Sequence, residues 1–141
     1  MKTGIVKEDN YFDHDADIGI IGRGETIESC FANAASVTFS LMADLSNVHP
    51  LQIITFEFEE ADIELAFVTW LNLLIAKAYE HNIIFCDFRL KHEGNLWKAT
   101  VSGEKWRDDI ERGIEVKGAT LTMLSIKKVD HHWEARCVVD V

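Results

Sequence analysis

The sequence has a single proline, no two cysteines at C-x-x-C spacing, no long hydrophobic run and no surplus of positive charge. Each absence excludes something. With 14 Lys+Arg against 24 Asp+Glu the formal net charge is −10, so the chain should not track a phosphate backbone unaided, which depends on Lys and Arg neutralising phosphates. Cations, or a protein with a basic face, are the expected partners. The cysteines, Cys30, Cys86 and Cys137, are odd in number and far apart, which predicts reduced thiols in a cytoplasmic protein. The most apolar stretch, Ala66 to Tyr79, is interrupted by Thr69, Asn72 and Lys77 and falls short of the ~20 apolar residues of a membrane span. Residues 1–10 contain no apolar block of a leader's length, so none is expected. No G-x-S-x-G, Walker loop or dinucleotide fingerprint occurs, and nothing local resembles a nucleophile with its base.

What is present is an ordinary globular balance, 48% hydrophobic and 27% charged over 141 residues. It fits one domain, 1–141, with no linker or low-complexity segment. Ile18 to Ile21 is a β-branched run stopping at Gly22-Arg23-Gly24 and reads as a short buried strand. Thr26 then caps a helix with Ile27, Phe31, Ala34, Val37 or Thr38 and Leu41 on one face, ending near Met42-Ala43. Ile54, Phe56 and Phe58 alternate with polar residues as in a half-buried strand. Asp62 caps a second helix to about Glu80, apolar around most of its circumference and therefore buried between two surfaces. Strands follow: Ile84 to Leu90, a turn at Glu93-Gly94-Asn95, Leu96 to Ser102, a polar loop over Asp108 to Gly113, a long extended stretch from Ile114 to Lys127, and a last strand through Trp133, Ala135, Cys137 and Val139. Helices early and hairpins late predict an α+β, two-layer domain, a mostly antiparallel sheet packed against two helices.

The densest chemical candidate is Asp13-His14-Asp15-Ala16-Asp17. D-x-D-x-D opens an EF-hand loop, but the sixth position is Ile18 instead of Gly and the twelfth is Gly24 instead of Glu, so that motif is excluded. On an extended segment Asp13, Asp15 and Asp17 would share a face, and a divalent cation would relieve their repulsion; composition alone equally fits a solvated acidic segment. Asp140 and Val141 bring further oxygens at the other end of the sequence. Lys117, within Val116-Lys117-Gly118-Ala119-Thr120, reads from spacing alone as a solvent-facing strand lysine. Zinc is disfavoured because His131-His132 and the scattered cysteines give no paired ligand spacing. The acidic run from Glu57 to Glu64 reads as a solvated strand edge and a helix N-terminus.

The segment Asp13 to Ile20 resembles the H-T-A-D opening of the archease family, followed by its apolar strand. Further resemblances keep the family's order: Gly24-Glu25-Thr26 to Ala34-Ala35, Trp70-Leu71-Asn72-Leu73-Leu74 against W-L-N-x-L, Gly103-Glu104, Val116 to Thr120 against V-K-A-x-T, and Val139-Asp140-Val141 against a terminal D-I or D-V. The resemblance implies a strand–helix–strand–strand fold with an insertion. It also implies a non-enzymatic accessory role in tRNA splicing or RNA repair. Archeases promote guanylylation and turnover of the RtcB-type RNA ligase, which joins 2′,3′-cyclic or 3′-phosphate ends to 5′-hydroxyls. By the same resemblance Asp17, Asp140 and the oxygens of Val141 would hold Ca²⁺ or Mg²⁺, with His14 and Asp15 beside them, and Lys117 would act on the ligase. No direct contact with nucleic acid or membrane is implied. The sequence departs from the family at Asp15 (usually Thr), Gly118 (usually Ala) and Leu121-Thr122 (usually Tyr-His). Two other functions stay open: a general chaperone or modulator of RNA-modifying enzymes such as methyltransferases, and a metal-dependent hydrolase, against which the lack of a sequence-visible base counts.

Overall fold

A computed structural model describes residues 8–141; the opening segment, where the sequence predicts no leader, lies largely outside them. The strands are β1 (Tyr11–His14), β2 (Asp17–Gly24), β3 (Gln52–Glu59), β4 (Ile83–Glu93), β5 (Leu96–Lys105), β6 (Gly118–Ala119), β7 (Ser125–Val129) and β8 (His132–Asp140). The helices are α1 (Ile27–Ser40) and α2 (Ile63–His81). The fold is α+β, as the sequence predicts. Its strands divide into two antiparallel sheets: β1-β2-β8, with β6 and β7 both on the far edge of β8, and a smaller β3-β5-β4.

The helix α1 serves both sheets because its apolar residues form two adjoining stripes. Cys30 and Ala34 face β2: the Cys30 thiol donates to the Gly22 carbonyl at 3.3 Å, and a side chain at Gly22 would overlap Ala34. Phe31 and Phe39, two turns apart, face the other sheet, Phe31 stacking on Trp97 and Phe39 packing on Phe85 and Phe88. The Thr26 hydroxyl accepts from Ser29 N at 3.0 Å while the Ser29 hydroxyl accepts from Thr26 N at 3.1 Å, a reciprocal cap. The helix stops at Ser40, slightly before the predicted end. There Leu41 N and Met42 N turn to Thr38 O and Phe39 O, the tighter three-residue pattern of a closing turn.

The second helix, α2, begins at Asp62, whose carboxylate accepts from Leu65 N at 3.0 Å, and ends at Asn82 in the left-handed conformation, φ 55°. Its near-continuous apolar surface is buried on both sides as predicted, against β4 of one sheet and β6 and β7 of the other. Trp70 crosses to α1, its indole N–H donating to Phe31 O at 2.9 Å. Among the described residues no helix is long and apolar enough to cross a membrane.

Two expectations need correction. Asp13, Asp15 and Asp17 do not share a strand face, because β1 ends at His14 and the chain reverses through Asp15, whose φ is 53°, before β2 starts at Asp17. Short polar Asp tolerates that conformation better than most residues, so the acidic cluster becomes a hairpin turn. Nor is Ile114–Lys127 one extended stretch: only Gly118–Ala119 and Ser125–Val129 pair with β8, and the residues between leave the ladder.

Candidate functional site

The register of β8 assembles the site. Ile18 pairs with Val139, so Asp17 starts β2 where β8 ends, and on the opposite edge Gly118 pairs with Asp140. Val141 N donates to the Asp17 carboxylate at 3.3 Å, and Lys117 N donates to Asp140 O at 2.8 Å. Asp17, Lys117, Asp140 and Val141, far apart in sequence, therefore meet at one corner. His14 stands opposite Asp17 in the β1–β2 ladder. Asp15 is at the turn, almost fully solvent-exposed and 3.8 Å from the His14 imidazole.

Side chains that the sequence reading gave no role hold this corner. The Asn72 amide on α2 donates to Ala119 O at 3.1 Å and accepts from Ala119 N at 2.8 Å, acting as the missing strand on the open edge of β6. Tyr79, also on α2, donates its hydroxyl to Val116 O at 2.6 Å, and Thr120 donates its hydroxyl to Val138 O at 2.7 Å. Asn72 at the centre of the mainly apolar α2 was the available signal, since a side-chain amide carries both a donor and an acceptor that can pair with a strand edge.

The loop leading to Lys117 is fixed as well. Glu104, buried at the end of β5, accepts from Arg107 at 2.9 and 3.2 Å and from His49 N at 2.7 Å. Those bonds, the Arg107 guanidinium first and the His49 amide next, hold its carboxyl down at about 2. Gly113 N and Ile114 N then donate to Met42 O and Leu41 O, both at 2.7 Å, at a close approach where a Gly113 side chain would overlap the Leu41 carbonyl. Val116 is fully buried, whereas Lys117 beside it is exposed, and among the described residues its ammonium has no ion-pair partner. Its backbone is held while its side chain is available.

Chemically, the corner offers oxygen donors and an ammonium. Among the described residues no group of three or more His, Cys, Asp or Glu side chains is gathered, so a cation here would need main-chain oxygen and water beside the two carboxylates. An all-oxygen set suits a hard ion such as Ca²⁺ or Mg²⁺. Among the described residues Asp17 accepts through one oxygen only, from Val141 N, which leaves its other oxygen available to ligate. The thiols are unsuited to nucleophilic work: burial pushes Cys30 up to about 11 and Cys137 up to about 12.

Comparison with known proteins identifies the family and the fold. Residues 10–141 match the Archease protein family (MTH1598/TM1083). Protein archease of Methanosarcina mazei is 30% identical over 96% of this chain and 97% of its own length, and that of Thermococcus gammatolerans is 32% identical over 93% and 96%. The solution structure of Methanobacterium thermoautotrophicum protein 1598 superposes with a TM-score of 0.79 at 27% identity, covering 94% of this chain and 97% of that one. A crystal structure of an archease from Thermotoga maritima, described as a "possible chaperone", shares the fold with a TM-score of 0.66 at 20% identity, over 92% and 94% of the two chains.

Proposed function

Because the chain belongs to the archease family, we propose that it is a non-enzymatic accessory protein that promotes guanylylation and repeated turnover of an RtcB-type RNA ligase. The observation that carries this reading is the corner itself. An exposed lysine on a fixed backbone stands beside Asp140, and Asp17 is joined to Val141. In this role Lys117 reaches into the partner as a positive charge that stabilises developing negative charge at the transferring phosphoryl group. Asp17, Asp140 and a main-chain oxygen of Val141 would hold the divalent ion, whose charge offsets the repulsion between the two carboxylates. Asn72 and Tyr79 keep the segment carrying Lys117 in register. The net charge of −10 suits binding to a protein that must itself present a basic face to RNA.

The test is to add the protein to purified ligase with GTP and RNA ends carrying a 2′,3′-cyclic phosphate and a 5′-hydroxyl, and to count ligations per ligase. More than one turnover with the wild type, and fewer with a folded Lys117→Ala variant, supports the reading. Full stimulation by that variant removes Lys117 from the site. The description of the Thermotoga relative favours a second reading, a chaperone or modulator of RNA-modifying enzymes. Affinity capture from extract separates the two: a methyltransferase recovered in place of a ligase favours the second.

A further inference from the structure

The outer strands of the larger sheet are each blunted. β1 has only four residues, Asn72 closes the edge of β6, and β7 carries Lys127 and Lys128. In the smaller sheet, β4 is interrupted by a bulge between Phe85 and Asp87 and carries Arg89 and Lys91. Short length, bulges and cations are the usual guards against another strand pairing on an open edge. β3 has none of them. Its eight residues, Gln52–Glu59, include no proline and no cation, and they pair with β5 in unbroken register. Among the described residues no strand pairs with its other edge, where alternate N–H and C=O groups point away from the sheet.

The side chains along β3 fall into two parts. Ile54, Phe56 and Phe58 turn inward, and Ile53, Thr55, Glu57 and Glu59 turn to solvent. Ile53 and Leu51 just ahead of it are 69% and 72% exposed, more than any other large apolar side chain among the described residues. At the other end, Glu57 and Glu59 have no cation within ion-pair distance among the described residues. Lys98 stands opposite Glu57 in the ladder without closing a pair, and the Lys77 ammonium lies over the Phe56 ring at 5.1 Å. The edge therefore combines open main-chain groups with an apolar start and an unpaired acidic end.

We propose that β3 receives an extended segment of a partner protein as an added antiparallel strand, with basic residues opposite Glu59 and Glu57 and apolar residues opposite Ile53 and Leu51. The main-chain groups select an extended chain. The side chains select its order, which reads basic-x-basic-x-x-x-apolar-x-apolar from its N-terminus. A second copy does not fit that order. Two β3 strands paired antiparallel about Thr55 set Ile53 against Glu57, and about Phe58 they set Glu57 against Glu59. No register offers either glutamate a cation, because β3 contains none. The inference goes beyond the ligase reading and does not depend on it, since β3 and Lys117 lie on different sheets.

The experiment titrates a synthetic peptide, Lys-Thr-Lys-Thr-Thr-Thr-Val-Thr-Val, into the whole protein and follows the backbone amides by NMR. Saturable binding should shift the β3 resonances and slow amide exchange there, leaving β8 unchanged. N-methylation of the peptide separates strand addition from a charge contact, because a strand bonds each neighbour through every second residue. Methylating one alternate set of residues should abolish binding, and methylating the other set should leave it. Glu57→Gln/Glu59→Gln and Leu51→Ser/Ile53→Ser change only exposed side chains and should melt with the wild type. Each should raise the peptide's Kd about five-fold. No saturable binding, or equal binding by the two methylated peptides, overturns the added strand. Unchanged affinity in either double variant overturns the proposed order. A wild-type dimer whose β3 amides are protected without peptide also overturns the proposal, since the edge then serves a second copy.

Discussion

The two sides of α2 border regions built on opposite principles. On the side of β3-β5-β4, Trp97 is stacked among Phe31, Phe58 and His92 at centroid distances of 5.3, 5.9 and 4.0 Å and is fully buried. At the Lys117 corner the fixed elements are main-chain atoms, held by Asn72, Tyr79 and β8, and the chemically useful side chains stay in solvent. Stability in the first region comes from apolar area and close packing. In the second, a few hydrogen bonds set position and contribute little to stability. Mutations should therefore unfold the first and disarm the second.

The sharpest contrast is Trp97→Ala. It removes three stacked contacts and the indole N–H donated to Glu60 O at 3.1 Å, and should cost about 3–5 kcal/mol, read as a lower denaturant midpoint at unchanged m-value. A loss no larger than that of a surface variant would mean the aromatic cluster is not the core's centre. Acid should break the next element. Glu104 titrates at about 2 in the folded chain, below an ordinary carboxylate. Its contribution is therefore complete above pH ~4.5 and is lost as pH falls from there through about 2. Glu104→Gln should flatten the stability profile over that window and free the loop that Arg107 anchors; an unchanged profile would show that other carboxylates dominate acid unfolding.

The two regions also differed in how far the sequence exposed them. The core was readable because burial imposes a period: Phe31 and Ala34 recur with helical spacing, Ile54, Phe56 and Phe58 alternate, and Glu93-Gly94-Asn95 marks the turn where Gly94 takes φ 61°. The corner's residues were readable only through family motifs, since Asp17 and Asp140 are joined by strand register, which no local pattern encodes. The hairpin at Asp15 escaped because carboxylates at alternate positions, Asp13, Asp15 and Asp17, imitate the period of a strand, and the surplus residues from Thr120 to Leu124 escaped because they look like continuous strand in composition. Their geometry comes from pairing with β2 and β8, tertiary context that overrides local propensity.

At the corner, Asn72→Ala deletes both bonds to Ala119. Because the amide is exposed, water replaces much of what is lost, and the cost should be about 1 kcal/mol, far below that of Trp97→Ala. Amide exchange should separate the regions further: protection at Ala119 falls, while protection within β5 is unchanged. Equal loss of protection in both would mean that the corner and the core open as one unit.

The smallest effect concerns the divalent ion. Asp17 and Asp140 supply two carboxylates, and Asp17 already shares one oxygen with Val141 N, so the protein provides few ligands and water must supply the rest. Such a site binds weakly. An ion that binds only the folded state stabilises it by about 0.4 kcal/mol when its free concentration equals Kd, a rise in Tm of about 1–2 °C for a chain of this size. Titrating Ca²⁺ into the metal-free protein should show that rise, growing logarithmically beyond Kd. Asp17→Asn and Asp140→Asn should each abolish it, because a neutral amide oxygen ligates a hard cation more weakly than a carboxylate. Their metal-free melting temperatures should stay at or slightly above wild type, since each removes one of two like charges. A full calcium-dependent rise in both variants would place the ion elsewhere, with the acidic surface from Glu57 to Glu64 the next place to look, and would leave the corner with its lysine alone.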